Sequence, residues 1–295
     1  MPSESEPSMK SHHLLLLRVV AVTVVLMGAK LAAHYLHVEI ISINPLFTGI
    51  IAANVFLMGF LLSGVLADYK ESEKLPGELG ACLENMAQEV VGMKLSRPEA
   101  VVGPCLVAFS QMSKDIHDWF YKKLDTEGLL DRVNGLTTSF GMLEPWTQPA
   151  YITRLKTEQS NLRRTLVRIE VIRETNFVAA GYMLAYIITG LLCLGLVLAQ
   201  MDPFHESLTF TGVIAYLLVF LLLLIRDLDN PFGYYERFSG ADVSLVAFQN
   251  SMKRLANIAG VEESASMRFV QVDVDAAAKL RAALDAALPP AVPGS

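Results

Sequence analysis

The chain has 295 residues, 53% hydrophobic and only 18% charged, with a net charge of −6 and a mean hydropathy of +0.40. Soluble globular chains carry about 25% charged residues, so this composition excludes an ordinary soluble domain and points to a membrane protein. The net charge itself says little, because charge is sorted along the chain, and no nucleic-acid partner is expected.

Residues 1–10, MPSESEPSMK, are polar and read as a disordered N-terminus. Four uninterrupted apolar stretches follow, at Leu14–Leu36, Pro45–Ala67, Val178–Gln200 and Leu208–Ile225. A helix needs about 20 apolar residues to cross a ~30 Å hydrocarbon core, so four spans are predicted. They pair into a first hairpin over 11–67 and a second over 177–226. A helical insert, 68–176, separates them, and a turn, helices and tail occupy 227–295. The first stretch reads as a retained span. Its run is about twice a typical signal-peptide core, and no A-x-A cleavage site follows. Arg18 and Lys30 stand near its two ends, placed to snorkel to the interfaces.

Basic residues fix the expected orientation. None occurs between Leu31 and Tyr69 or between Glu174 and Ile225, whereas Lys10, Arg18, Lys70, Lys74, Arg163, Arg164, Arg168, Arg173 and Arg226 flank the other span ends. By the positive-inside rule both termini and the insert face the cytoplasm, and the protein sits in the cell membrane, the inner membrane if bacterial.

Within the insert, Leu79, Leu83, Met86 and Val90 recur at helical spacing. Ser96, ahead of Arg97-Pro98-Glu99, reads as a helix N-cap with Glu99 in the capping-box position. The segment Thr153–Asn176 reads as a long helix that runs on into the third span, with Leu155, Leu162, Leu166 and Ile169 forming its apolar stripe. Its arginines are diluted by Glu158, Glu170 and Glu174 and read as a solvated face. Asp229-Asn230-Pro231-Phe232-Gly233 marks a turn, a helix reopens near Asp242, and an Ala-rich amphipathic helix follows Asp273. No segment shows strand periodicity, so the predicted fold is all-α.

Chemistry is sparse. Cys82, Cys105 and Cys193 form no metal or redox spacing and read as reduced structural thiols. His34, His37 and Glu39 gather at an outer interface, but a metal centre needs a third close ligand and a second shell; they read as amphipathic groups at headgroup level. His117 reads as part of a solvated helix face, and Asp227 with Asp229 as helix caps. Without a phosphate loop, a cysteine pair or a serine nucleophile motif, no enzyme, cofactor or metal is expected.

The second span is distinctive. Asn44 before Pro45 forms an N-cap and first-turn pair facing outside. Along one face fall Gly49, Ala52, Ala53, Phe56, Gly59, Phe60, Ser63, Gly64 and Ala67. Such small residues permit close helix approach. Two readings stand: an ordinary packed bundle helix, or a helix lining a pore shared among several copies. In the second, Ala52, Phe56 and Phe60 form apolar rings that gate by dewetting. Phenyl edges are weakly positive and tolerate an anion better than a cation. Outward helix N-termini add attraction for anions, and the face carries no acidic residue before Asp68.

The stretch FLMGFLLS (56–63), followed by ESEKLP ending at Pro76, resembles the pore helix of bestrophins. The stretch DNPFGYYERFSGADVSL (229–245) is similar to their Pro-Phe-Gly turn after the last span. The resemblance covers about residues 11–258 on these two short motifs. It implies a homo-oligomeric, pentameric anion channel that passes small anions such as chloride. Phe56 and Phe60 would fall at the neck, with Ala52, where the family has isoleucine, above and Ser63 below. Asn44 and Gly49 would shape the outer entrance. Ala67-Asp68-Tyr69 replaces the family's Arg-Trp-Trp-like cluster, and Tyr234-Tyr235-Glu236-Arg237 replaces the acidic run of animal members, so no calcium clasp is expected. The chain thus resembles a distant, bacterial member. One alternative is a membrane-anchored scaffold acting through its insert, which predicts that Phe56 contacts its own protomer. A transporter is disfavoured, because no span carries Asp, Glu or a central proline.

Overall fold

The structure, a computed structural model, describes residues 7–174, 179–234 and 242–261. In chain order these form α1 (Pro7–Tyr35), β1 (Ile41–Ser42), α2 (Pro45–Ser72), α3 (Leu75–Ser96), α4 (Gly103–Phe120), α5 (Thr126–Gly141), a 3-10 turn at Glu144–Trp146, α6 (Pro149–Glu174), α7 (Ala179–Val197), β2 (Ala199–Gln200) and α8 (Phe204–Leu228). A further helix, α9, covers 246–261. The chain is overwhelmingly helical, and four stretches are long and apolar enough to cross a membrane: Leu15–Tyr35, Pro45–Ser96, Ala180–Val197 and Phe204–Leu228. It divides into two compact units, one made of 1–76 with 166–245 and the other of 77–165 with 246–295.

The first unit contains the apolar hairpins. Its main core joins Met58, Leu61 and Val65 of α2 to Ala185 and Leu192 of α7 and to Leu218 and Ile225 of α8. A second cluster joins Val19 of α1, Cys193 of α7 and Val219 of α8. Two glycines admit a neighbour that a side chain would exclude. A Cβ on Gly195 would stand 2.8 Å from the Phe47 ring, and one on Gly212 would stand 3.2 Å from the Met27 sulfur. Small residues let helices approach closely where lipid offers no hydrophobic drive between them.

Three expectations about this unit are corrected. Lys30 does not snorkel: its side chain is fully buried, 2.6 Å from the Glu39 carboxylate, and donates to the Ala199 carbonyl oxygen. An acceptor pair inside the fold replaces water for the ammonium. The second correction concerns strands. β1 pairs parallel with β2, Ile41 opposite Ala199 and Ser42 opposite Gln200. Two-residue strands have no period to detect, so the sequence pattern was silent. The third is that no helix reopens at Asp242. Residues 242–245 are irregular, with Val243 N–H donating to the Pro231 carbonyl, and α9 starts at 246. Of the expected loose N-terminus, residues 1–6 lie outside the described residues, and 7–10 already belong to α1.

The second unit is a helical core with the expected faces. Leu79, Leu83, Met86 and Val90 of α3 are fully buried, as are Phe109, Ile116, Trp119 and Phe120 of α4, Leu129, Val133 and Phe140 of α5, Leu155 and Leu162 of α6 and Phe248 of α9. Aromatic pairs fix their contacts, with Phe120 edge-on to Phe248 at 5.9 Å between centroids and Phe109 tilted on Phe140 at 6.2 Å. The Trp119 indole N–H donates to Thr126 at 2.9 Å. Buried Asp115 accepts from Arg132 at 2.6 Å and Gln111 at 3.0 Å.

Ser96 is not an N-cap. It is the last residue of α3, and its hydroxyl donates back to the Gly92 carbonyl. Pro98 pushes its predecessor out of the helical region, so the Ser-Arg-Pro run ends a helix, and Lys94 closes the turn on the Ala100 carbonyl at 2.9 Å. His117 is only partly exposed, 3.8 Å from Asp118 and 5.0 Å from the Tyr121 ring. In α6, Pro149 begins the helix earlier than Thr153, and the predicted stripe Leu155, Leu162, Leu166 and Ile169 is wholly buried. The passage from α6 into α7, the segment 235–241 and the tail beyond 261 lie outside the described residues.

Candidate functional site: the exposed face of the second span

α2 starts as its sequence dictates. Asn44 has extended backbone, and its side-chain oxygen accepts from Phe47 N–H at 2.9 Å. Pro45, which has no N–H to satisfy, occupies the first turn. From there two faces diverge. Asn54, Met58, Leu61 and Val65 are buried. Gly49, Ala52, Ala53, Phe56, Gly59, Phe60, Ser63 and Ala67 are exposed. Residues two apart on a helix point about 200° away from each other, so burying 54 and 58 turns 56 and 60 outward. The exposures are 79% for Phe56 and 62% for Phe60.

All six sequence-predicted site residues, Asn44, Gly49, Ala52, Phe56, Phe60 and Ser63, are thus exposed within the protomer. The scaffold expectation that Phe56 packs into its own bundle is not met. What this face can do chemically is mainly apolar contact, with the hydroxyls of Thr48 and Ser63 and the Asn44 amide toward its ends.

One polar group near this helix was not singled out from the sequence. Asn54 Nδ2 donates to Thr189 Oγ1 of α7 at 3.0 Å, and the Thr189 hydroxyl lies 4.0 Å from the Met58 sulfur. Asn54 Oδ1 is buried and has no hydrogen-bond partner. An amide in the middle of an apolar run was the available signal. The outer cluster that the sequence placed at His34 and Glu39 also takes in Lys30: the Glu39 carboxylate pairs with the Lys30 ammonium at 2.6 Å and accepts from His34 at 3.0 Å. The His34 ring stacks on Phe204 at 3.8 Å. Burial pushes the Glu39 carboxyl up, but the hydrogen bonds from His34 and Lys30 outweigh it and hold the group below its ordinary value. His34 is therefore a partner of Glu39 rather than a free headgroup-level ring. Among the described residues no three His, Cys, Asp or Glu side chains could jointly hold a metal. On the opposite side, Asp229 sits at the C-cap of α8, and its carboxylate accepts from Tyr182 of α7 at 2.6 Å.

The fold and this face define a helical membrane protein with four apolar spans, one of which turns two phenyl rings away from its own bundle. No family model matches the chain and no curated protein is similar to it in sequence. Solved structures are similar to it in fold. A bacterial bestrophin homologue from Klebsiella pneumoniae superposes with a TM-score of 0.64 at 15% identity, over 84% of this chain and 98% of that one. A variant of that homologue gives 0.66 at 14%, over 83% and 97%. A membrane-protein variant gives 0.69 at 14%, over 83% and 98%. The chain shares the bestrophin fold across most of its length, at 14–15% sequence identity.

Proposed function

We propose that this protein is a bestrophin-like channel: a homo-oligomer, pentameric by analogy of fold, that conducts small anions such as chloride passively through a central pore lined by α2. One observation carries the reading. Phe56 and Phe60 are 79% and 62% exposed on a face that the protomer's own core leaves uncovered. A single protomer of four spans has no room for a water-filled passage, so a pore requires several copies around an axis. In that arrangement Phe56 and Phe60 form stacked apolar rings that close the path by dewetting, with Ala52 as a wider ring above and Ser63 below. Asn44 and Gly49 shape the outer mouth. Phenyl edges and the outward N-termini of α2 favour an anion over a cation. The small residues beside the rings let neighbouring copies approach closely. Both termini and the insert 68–176 face the cytoplasm, following the basic residues.

The test is chloride flux into liposomes holding the purified, oligomeric protein, comparing wild type with Phe56→Ala/Phe60→Ala. Flux in wild type that rises in the double variant, or flux in the double variant alone, supports a phenyl constriction. If neither conducts although both insert as intact oligomers, the channel reading is wrong and the cytoplasmic helices become the place to seek a function.

A further inference from the structure

We infer that Asn54, through Thr189, is the positioning residue that sets the rotation of α2 and so decides which side chains face away from the bundle. In water the choice would be made by hydrophobicity, since one face of a helix is greasier than the other. In a bilayer that criterion fails, because lipid tails are as apolar as leucine. Here both faces of α2 are apolar. Met58, Leu61 and Val65 are buried, while Ala52, Phe56 and Phe60 are exposed. Either set could face lipid at similar cost.

Asn54 breaks the tie. It is 1% exposed and its partner Thr189 is 3% exposed, joined at 3.0 Å between α2 and α7. Turning α2 would carry an amide out of its hydrogen bond into hydrocarbon, where nothing replaces the partner. The bond also has direction. The amide donates, and the Thr189 hydroxyl is left to point toward Met58, one turn further along α2. Met58, four residues from Asn54, is fully buried beside it, so the polar contact and the packed contact enforce the same rotation. The geometric half of this inference stands alone. Its consequence for conduction rests on the channel reading, because only then does the rotation place Phe56 and Phe60 in the pore.

The experiment places a nitroxide spin label on single cysteines along 52–63 in liposomes. The natural thiols are buried and do not compete for the label. Collision with oxygen, which enters lipid, and with a water-soluble nickel chelate, which does not, gives the angular phase of the exposed face and the medium it meets. The variants are Asn54→Leu, the milder Thr189→Val, and the exchange Asn54→Thr/Thr189→Asn. We expect the preference for the native rotation over its rivals, read from label contrast between positions 60 and 61, to fall by up to about tenfold in the two single variants, and to recover in the exchange. If Asn54→Leu does not fold, Thr189→Val decides. An unchanged phase in Thr189→Val overturns the inference, as does a shifted phase that the exchange fails to restore. Failure of the channel reading looks different. It is read from chloride flux, which neither wild type nor Phe56→Ala/Phe60→Ala would then show as an intact oligomer, whatever the phase does in the variants.

Discussion

The buried pair Lys30–Glu39 offers the sharpest test of how this fold is held at its outer end. The Lys30 side chain is 0% exposed, and its ammonium has two acceptors, Glu39 at 2.6 Å and the Ala199 carbonyl. Glu39 is 11% exposed and keeps a second donor, His34, at 3.0 Å. These differences make the two deletions unequal. Glu39→Gln strands an ammonium that cannot reach water, and stranding a buried charge costs about 3–5 kcal/mol. Lys30→Met leaves a carboxylate that is still hydrogen-bonded and partly wet. Its cost is the lost charged hydrogen bonds, about 1.5–3 kcal/mol. Removing both charges in Lys30→Met/Glu39→Gln should cost less than the sum of the singles by about 1 kcal/mol or more, as expected for residues in contact. The assay is reversible denaturant unfolding in micelles for wild type and the three variants. Strict additivity, or a Lys30→Met cost exceeding that of Glu39→Gln, would refute the account of a mutually dependent buried pair. The same measurement against pH adds a second arm. Because the folded Glu39 carboxyl is held below its ordinary value, the unfolded chain binds that proton more readily and stability rises with pH. The contribution is complete above the usual carboxylate value of about 4.3. It disappears as pH falls through the lower folded value, so Glu39→Gln should flatten the acid limb of the curve.

Three further outcomes are expected. Gly195→Ala places a Cβ 2.8 Å from the Phe47 ring at the outer turn of α2; the ring must move, costing about 1–3 kcal/mol, and Phe47→Leu should recover part of that loss in the same unfolding assay. Trp119→Ala removes a fully buried indole and its bond to Thr126, lowering stability by about 3–5 kcal/mol, whereas Trp119→Phe loses less; thermal unfolding followed by circular dichroism reads both. Cys105 is buried, and burial pushes its thiol up to about 12. A maleimide should leave it unmodified in the native protein and label it fully in denaturant, as mass spectrometry of the Cys105 peptide would report. Native labelling would contradict its burial.

Much of the helical layout was legible because its signals are local. Apolar runs long enough to cross a bilayer, the Asn44-Pro45 start of α2 and the stripes Leu79–Val90 and Leu155–Ile169 need only short-range spacing to be read. The exposure of Phe56 and Phe60 was not legible in the same way, because both faces of α2 are apolar; it follows only once 54, 58, 61 and 65 are seen to be buried. Ser96 misled because a serine before Arg-Pro-Glu has the same local pattern at either end of a helix; the hydrogen bond back to Gly92 decides which.

By itself the sequence determined that four helices can cross a membrane, where the second begins, and that its small and phenyl residues share a face. Only the tertiary structure decided that Lys30 turns inward to Glu39 and Ala199, that β1 meets β2, and that Asn54 meets Thr189. Each of these joins residues distant in sequence, the last pair 135 positions apart, and local periodicity carries no information about partners that far away. In a medium as apolar as the side chains themselves, such rare polar contacts choose among helix rotations that hydrophobicity leaves nearly equal.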